Sequence, residues 1–396
     1  MGCRVTLGDI CSFDRGASIP RTRMLNSGDL LYIHYGDLYK GFDLRIDVEK
    51  PAKPLPFISA DEKIKDSQRL NDQDIVYVLT SETVDDLGHA YLFNNPSGKS
   101  AVSGTETTIV RVERKDVVLP AYLNYLMSSP RFISELRQYT RGMKVFRVHP
   151  SDVARIEVDL PSIDEQRKVV AILDAIYEKQ QTNTKLNDYL AEMGTALFNN
   201  VAPQSNAPNA ALSDIAEITM GQSPSGSSYN EEGSGEVFYQ GRAEFGSFFP
   251  RRRLFTTEPK RMAQEGDTLM SVRAPVGDLN IANEKCCIGR GLAAIHSDTF
   301  QSFTHYLLRG QSRQLDAFNG DGTVFGSING KALRALPIYL PTEKEINEIE
   351  TELKSLDAMI RNNDDEIRLL EQLRDTLLPK LMAGEIDVSE NNFLQS

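Results

Sequence analysis

Cysteine is scarce in this chain of 396 residues: Cys3, Cys11, Cys286 and Cys287, with no Cys-x-x-Cys pair and no zinc-finger spacing. That excludes a thiol-built metal site as the organising feature of the fold. Cys286 and Cys287 are adjacent, so in a strand they point to opposite faces. All four read as buried free thiols of a reducing compartment. The five histidines are scattered, with no His-Glu-x-x-His. No apolar run approaches the ~18 residues of a membrane span. MGCRVTLGDICSFDRG puts charge where a signal peptide needs an apolar segment. Its opening also meets the short myristoylation pattern, Gly2 with Thr6, which arises readily by chance. The expected setting is therefore cytoplasmic, with no membrane partner.

Catalytic motifs are missing as well. PSGKSAV (96–102) contains Gly-Lys-Ser, but a P-loop needs glycine at position 93, which is Phe93. GRGLAA (289–294) imitates a dinucleotide fingerprint, yet more strand-like residues follow it and it opens no helix. NNPSG (94–98) lacks the second proline and the aromatic of an amino-methyltransferase motif. The pairs Asp85-Asp86 and Asp364-Asp365 are most simply solvated turns or helix faces. The expectation is a non-enzymatic chain with no catalytic residue, no metal and no cofactor of its own.

What is present is a unit written twice. LPSIDEQ (160–166) and LPTEKEI (340–346) each set Leu-Pro before a hydroxyl residue, with Glu three places on. Ser162/Glu165 and Thr342/Glu345 thus both fit the capping box that opens a helix. At an offset of 205, Leu7, Asp9, Ile10 and Gly16 meet Leu212, Asp214, Ile215 and Gly221. At an offset of 180, Gly142, Val148 and Leu160-Pro161 meet Gly322, Ile328 and Leu340-Pro341. Each unit is a mixed α/β block followed by one long helix, and VAPQSNAPNA (201–210) reads as the linker. Strands are expected over 74–80, 89–94, 107–113, 154–160, 267–272 and 287–295, and helices over 121–139 and 303–318.

Both long helices carry a seam repeating every 3.5 residues, the coiled-coil period. In the first it runs through Val169, Ile172, Ile176, Lys179, Asn183, Leu186, Leu190, Met193 and Leu197. In the second it runs through Ile346, Ile349, Leu353, Leu356, Ile360, Asn363, Ile367, Leu370, Arg374, Leu377 and Leu381. Each helix would extend ~58 Å. In an antiparallel pair Asn183 and Asn363 fall close together and can fix the register, as buried seam amides do; two solvent-facing asparagines are the other reading.

The net charge of −12 argues against nucleic acid only until it is located. The second helix has 11 acidic against 6 basic residues, the first has 6 against 4, and the tail adds three acids. The two α/β blocks are nearly balanced, at 0 for 1–158 and −1 for 210–336. They have enough Arg and Lys to build a local positive surface.

LPSIDEQRKVVAILDAIYEK (160–179), Leu340 with PTEKEINEIETELKSLDAMI (341–360), and the closing LLPKLMAGEIDV (377–388) carry a family likeness. So does LMSVRAPVGDLNIANEKCCIGRGLAAI (269–295). Together they resemble the specificity (S) subunit of type I restriction-modification systems, over almost the whole chain. The second helix departs by opening Glu-Ile (345–346) where the first has Glu-Gln (165–166). The resemblance implies two tandem α/β (α+β) recognition domains joined by an antiparallel coiled coil of two long helices, a pseudo-two-fold repeat. The divisions are 1–159 and 210–339 for the recognition domains, 160–200 and 340–383 for the helices, 201–209 for the linker and 384–396 for an acidic tail. It further implies double-stranded DNA as ligand, read as a bipartite, asymmetric target. Two DNA adenine methyltransferase subunits would bring S-adenosylmethionine and flip the adenine. Separate translocase-nuclease restriction subunits would bring ATP and Mg, in a bacterial or archaeal cell. Two other readings stand beside it: the specificity subunit of a fused methyltransferase-nuclease (type IIB-like) system, and a coiled-coil scaffold whose blocks bind protein or glycan.

Sequence is read by side chains that reach base edges, while phosphate contacts fix position. In the second block the densest basic cluster is Arg251, Arg252 and Arg253, flanked by Phe248, Phe249 and Phe255; Arg242, Arg273 and Arg290 sit near glycine-rich turns. In the first block the candidates are Thr80, Ser81 and, within RGMKVFR, Arg141, Lys144 and Arg147. Replacing Arg252 and Arg253 by Ala is expected to weaken binding and flatten its salt dependence. Candidate helix–helix contacts are Ile172, Ile176, Asn183, Leu186 and Leu190 with Leu353, Leu356, Ile360, Asn363 and Ile367.

Overall fold

The two repeated phrases fold alike in the computed structural model. Ser162 Oγ donates to Glu165 Oε2 at 2.6 Å, the Ser162 N–H reaches the same oxygen at 2.8 Å, and the Glu165 N–H returns to Ser162 Oγ at 3.4 Å. Thr342 and Glu345 repeat all three bonds, at 2.7, 2.8 and 3.4 Å. The helices they open are long: Ile163–Val201, 39 residues, and Glu343–Met382, 40 residues. Ordinary helices average only ~11–12 residues. The structure describes residues 2–388 except 40–41, 50, 52, 85, 203–206 and 321–325. Much of the linker, most of the acidic tail, Asp85 and Gly322 therefore lie outside the described residues.

Two compact units emerge, and each takes part of each long helix. The first comprises residues 1–178 and 370–396, the second 179–369. In the first, one sheet runs Cys11–Arg15, Thr107–Val112, Ile75–Val78, His89–Asn94, Arg45–Asp47. A second sheet runs Phe57–Ile58, Leu30–Ile33, Ala101–Ser103, its last pair parallel. The second unit repeats the plan with Glu217–Met220, Leu292–His296, Thr268–Ser271, Leu279–Ile281. Its other sheet contains Glu236–Tyr239 parallel to Cys286–Ile288, matching the parallel pair of the first unit. Each unit closes on an antiparallel clip, Cys3–Thr6 with Glu157–Leu160 and Ala210–Ala211 with Pro337–Ile338. Even single bonds recur: Leu7 N–H donates to Ile156 O and Leu212 N–H to Leu336 O, both at 3.0 Å.

Three sequence expectations need adjustment. The helix expected over 121–139 is two, Pro120–Met127 and Pro130–Arg137, because Pro130 has no amide to continue the first and Ser129 caps the second. The helix expected over 303–318 likewise divides into Gln301–Gly310 and Ser312–Asp316. The strand expected over 287–295 is interrupted at Gly289-Arg290-Gly291, which leaves one sheet and enters the other. Cys286 and Cys287 do sit on a strand, both fully buried and free; Cys11 is buried as well, but Cys3, expected to be buried, is exposed.

The seam of the first helix also differs. From Gln166 to Leu190 the buried side chains are Gln166, Val169, Leu173, Ile176, Gln180, Asn183, Asn187 and Leu190, a strict 3-4 repeat. Ile172 is only half-buried and Leu186 is 39 % exposed, so these two expected contacts lie beside the seam. Their apolar side chains point to the seam in the sequence; folding instead buries amides, which is tolerated where they are hydrogen-bonded. In the second helix Leu353, Leu356 and Ile360 are buried, with Asn363 and Ile367 half-buried.

Pairing is antiparallel within each unit. In the second, Asn363 Nδ2 donates to Asn187 Oδ1 at 2.8 Å, Asn187 Nδ2 to Ile360 O at 3.2 Å, and Asn183 Nδ2 to Glu366 Oε2 at 2.7 Å. Asn363 thus finds Asn187, one helical turn along from the expected Asn183. In the first unit Val169 and Leu173 share a cluster with Leu378 and Leu381. Each helix is also hooked to its own block. Tyr125 OH reaches Asp174 Oδ1 at 2.7 Å, and Tyr306 OH reaches Asp357 Oδ1 at 3.2 Å. Arg45 joins the first hook and lies over the Tyr177 ring, 4.8 Å from its centroid.

Candidate nucleic-acid interface

The end of each sheet pair is built by the same backbone ties, and they position most of the candidate readers. In the second unit the ladder joining Thr268–Ser271 to Leu292–His296 finishes with Ser271 opposite Leu292, then Val272 N–H on Gly291 O at 2.9 Å. Arg273 follows immediately on one strand and Arg290 precedes on the other. Ile328 N–H takes Val272 O at 3.1 Å, and Ala274 N–H takes Gly326 O at 3.0 Å. On the far side, Gly289 N–H donates to Tyr239 O at 2.8 Å and Arg290 N–H to Ser223 Oγ at 3.2 Å. A Cβ on Gly289 or Gly291 would sit 2.7 or 2.9 Å from Gln240 O, so only glycine allows this approach.

The first unit copies the frame. Val148 N–H bonds Leu79 O at 3.0 Å, and Gly104 N–H bonds Ile33 O at 2.9 Å. Val78 pairs with Thr107 where the second unit pairs Ser271 with Leu292. By this register Thr80 corresponds to Arg273 and Thr105 to Arg290. Thr80 and Ser81 pair with Arg147 and Phe146, so two sets of candidates remote in sequence come together. Arg141 and Arg147 exchange backbone bonds at 2.9 and 2.8 Å, forming a hairpin. Gly142, at φ +117°, gives the turn a conformation that L side chains rarely adopt. At its tip Lys144 is exposed beside Met143, which is 94 % exposed.

The candidate cations fall into two groups. Arg252 makes a two-pronged bond to Glu284, at 2.6 and 2.7 Å. Arg253 bonds Glu244, whose buried carboxylate also accepts Gly241 N–H at 3.0 Å. Arg242 bonds Asp278 at 2.6 Å, Arg147 bonds Glu106 at 3.2 Å, and Arg141 bonds Asp152 at 2.9 Å. Arg251 is exposed, and its N–H donates to Glu244 O at 2.8 Å. Next to this triplet, Phe249 packs with Leu190, Ala191, Leu356 and Ile360 of the long helices. The triplet therefore belongs to the helix-facing side of its block. By contrast Arg273, Arg290 and Lys144 are exposed, and no acid pairs with their side chains among the described residues.

Sequence reasoning missed the segment after Leu30–Ile33. His34, Tyr35 and Tyr39 form a ring series with His89, at centroid distances of 4.8, 6.2 and 5.7 Å, and Tyr39 OH donates to Thr80 O at 3.2 Å. Burial first, then the nearby Arg21, hold His34 below the ordinary histidine range, so Nδ1 accepts the Gly36 N–H at 3.1 Å. The only sequence signal was a run of Tyr and His behind an apolar strand. Among the described residues no cluster of three His, Cys, Asp or Glu could hold a metal ion, and no helix is long and apolar enough to cross a membrane.

A duplicated α/β reader with paired helices and exposed arginines at its loop ends is the architecture of a DNA-recognition protein. The family model for the type I restriction modification DNA specificity domain matches residues 4–192 and again 207–372. The chain belongs to that family, as a type I specificity subunit. It is 32 % identical over 299 residues to a putative type I restriction enzyme MjaX specificity subunit of Methanocaldococcus jannaschii, covering 69 % of this chain and 70 % of that one. The type I restriction enzyme MjaIX specificity subunit of the same organism is 22 % identical over 313 residues, or 70 % and 71 % of the two chains. The type I S subunit of M. genitalium shares the fold, with a TM-score of 0.57 at 14 % identity and 96 % of both chains covered.

Proposed function

We propose that this chain reads a bipartite, asymmetric double-stranded DNA target, one half-site per recognition domain, with the domains at 1–159 and 210–339. The observation that carries the reading is the loop-end frame built twice with different side chains: Thr80, Ser81, Arg141, Lys144 and Arg147 in one copy, Arg273 and Arg290 in the other. One frame with two side-chain sets supports two unlike half-sites. The paired Arg242, Arg252 and Arg253 serve the folded block first, and reach DNA only by leaving their acids.

The chain acts without chemistry of its own. Two adenine methyltransferase subunits dock on the long helices and supply S-adenosylmethionine, and ATP- and Mg-dependent restriction subunits complete the assembly in the cytoplasm of a prokaryotic cell. Methylome sequencing in a host expressing the chain with its partner subunits tests this. A split motif with adenine methylation in both halves is expected; a contiguous or palindromic motif would refute it.

A further inference from the structure

We infer that Arg273 and Arg290 read guanine, so the half-site of the second domain carries guanine that the first domain has no arginine in the same place to read. This rests on the proposed reading of the chain as a DNA-sequence reader, and adds to it which base and which residues.

Four observations converge. Arg273 and Arg290 leave the same end of one antiparallel ladder, each one residue beyond the Val272–Gly291 bond. Like charges at such neighbouring positions repel, and no acid pairs with either side chain among the described residues. Arg252 and Arg253, in the same unit, do have acids. A ligand presenting acceptors is what offsets the repulsion. Secondly, both backbones are fixed: Arg290 through Ser223 Oγ and two glycines against Gln240, Arg273 between Val272 and Ala274, each tied by hydrogen bonds. A rigid origin suits a contact that must discriminate atoms a few ångströms apart.

Thirdly, both are arginine. Its planar fork matches the O6 and N7 acceptors of guanine in the major groove, the commonest base-specific contact. Finally, the first unit places Thr80 and Thr105 in these two positions, and Thr105 is engaged by Tyr32 OH, at 2.9 Å from its N–H and 3.0 Å from Oγ1. Phosphates are the same at every sequence, so a duplicated phosphate contact has no reason to change residue between copies. A base contact must change when the two half-sites differ.

The test is selection from randomised duplexes by the full chain with its partner methyltransferase subunits, comparing wild type with Arg273→Gln, Arg290→Gln and Arg290→Lys. Both side chains are exposed, so folding is expected to be retained and is checked by circular dichroism. Wild type should select a split motif with guanine in the half-site of the second domain. Each glutamine variant should lose roughly 5- to 100-fold of its preference for one guanine and begin to accept adenine. Arg290→Lys should keep affinity for non-target DNA and retain a weaker preference for guanine than wild type, because an ammonium reaches O6 and N7 without the planar fork. The first half-site should not move. An unchanged motif with uniformly weaker binding, and a salt slope shallower by about 1, identifies phosphate contacts and overturns the inference while leaving the proposed function standing. Selection of no split motif by wild type overturns the proposed function itself, and this inference with it.

Discussion

Replacing Asn187 by alanine probes whether buried amides set the register of the helix pair. Asn187 is 2 % exposed, accepts from Asn363 Nδ2 and donates to Ile360 O. Two hydrogen bonds at about 1 kcal/mol net each, plus a share of the penalty for the stranded half-buried Asn363 amide, give a loss of about 2–3 kcal/mol. Replacing both partners, Asn187→Leu with Asn363→Leu, removes donor and acceptor together and lets apolar side chains meet. That double variant should be at least as stable as wild type, because no polar group is left unpaired. The chain contains no tryptophan, so a single Tyr189→Trp on the exposed flank of the same helix provides a local fluorescence reporter for urea unfolding. An Asn187→Ala midpoint within error of wild type would refute the reasoning. So would a double variant that unfolds earlier than the single one.

Other outcomes follow from the same geometry. Gln166 is fully buried, accepts Leu119 N–H at 2.9 Å and donates to Val117 O and Pro161 O at 2.9 and 3.0 Å, so Gln166→Ala should cost about 2–4 kcal/mol in urea unfolding. His305 is held down to about 3 by burial first and then Arg309. The folded form thus binds fewer protons than the unfolded chain between about pH 3 and 6.5, and stability should fall with acidification there, by up to ~1.4 kcal/mol per pH unit. His305→Gln should flatten that slope in a pH series of unfolding midpoints. Glu165 and Glu345 sit below the ordinary glutamate range, held there by the Ser162 and Thr342 hydroxyls and then by the backbone amides of the same residues. Their caps should act fully above the unfolded value of ~4.5 and fade as pH falls through the lower folded value. Glu165→Gln with Glu345→Gln should therefore show a shallower acid loss of helicity at 222 nm.

What was legible in the sequence was local or periodic. A capping box is closed within four residues, so Ser162/Glu165 and Thr342/Glu345 could be read directly and form as expected. The repeat was legible because one frame needs the same few residues twice: Leu7 and Leu212, Asp9 and Asp214, Gly16 and Gly221. A Cβ on either of those glycines would meet the backbone oxygen of Gly104 or Gly289 at 2.0 or 2.1 Å, which is why the pattern kept them. Pro130 and Gly289–Gly291 are plain in the sequence, but that they end a helix and a strand depends on the packing around them.

Charge and polarity were less legible, since they depend on what lies across a gap of many residues. Arg252 and Arg253 looked like the densest positive patch, yet Glu284 lies 32 residues from Arg252 and Glu244 lies 9 from Arg253. Hydrophobicity pointed Leu186 into the helix pair, while the hydrogen bonds of Asn187 turned that face the other way. The sequence by itself determined where the two long helices begin, how long they run and that one architecture occurs twice, because caps, period and repeat are encoded by neighbours. Only the tertiary structure decided which amides are buried and which arginines keep their charge for a ligand, because each outcome depends on a partner that folding brings from elsewhere in the chain.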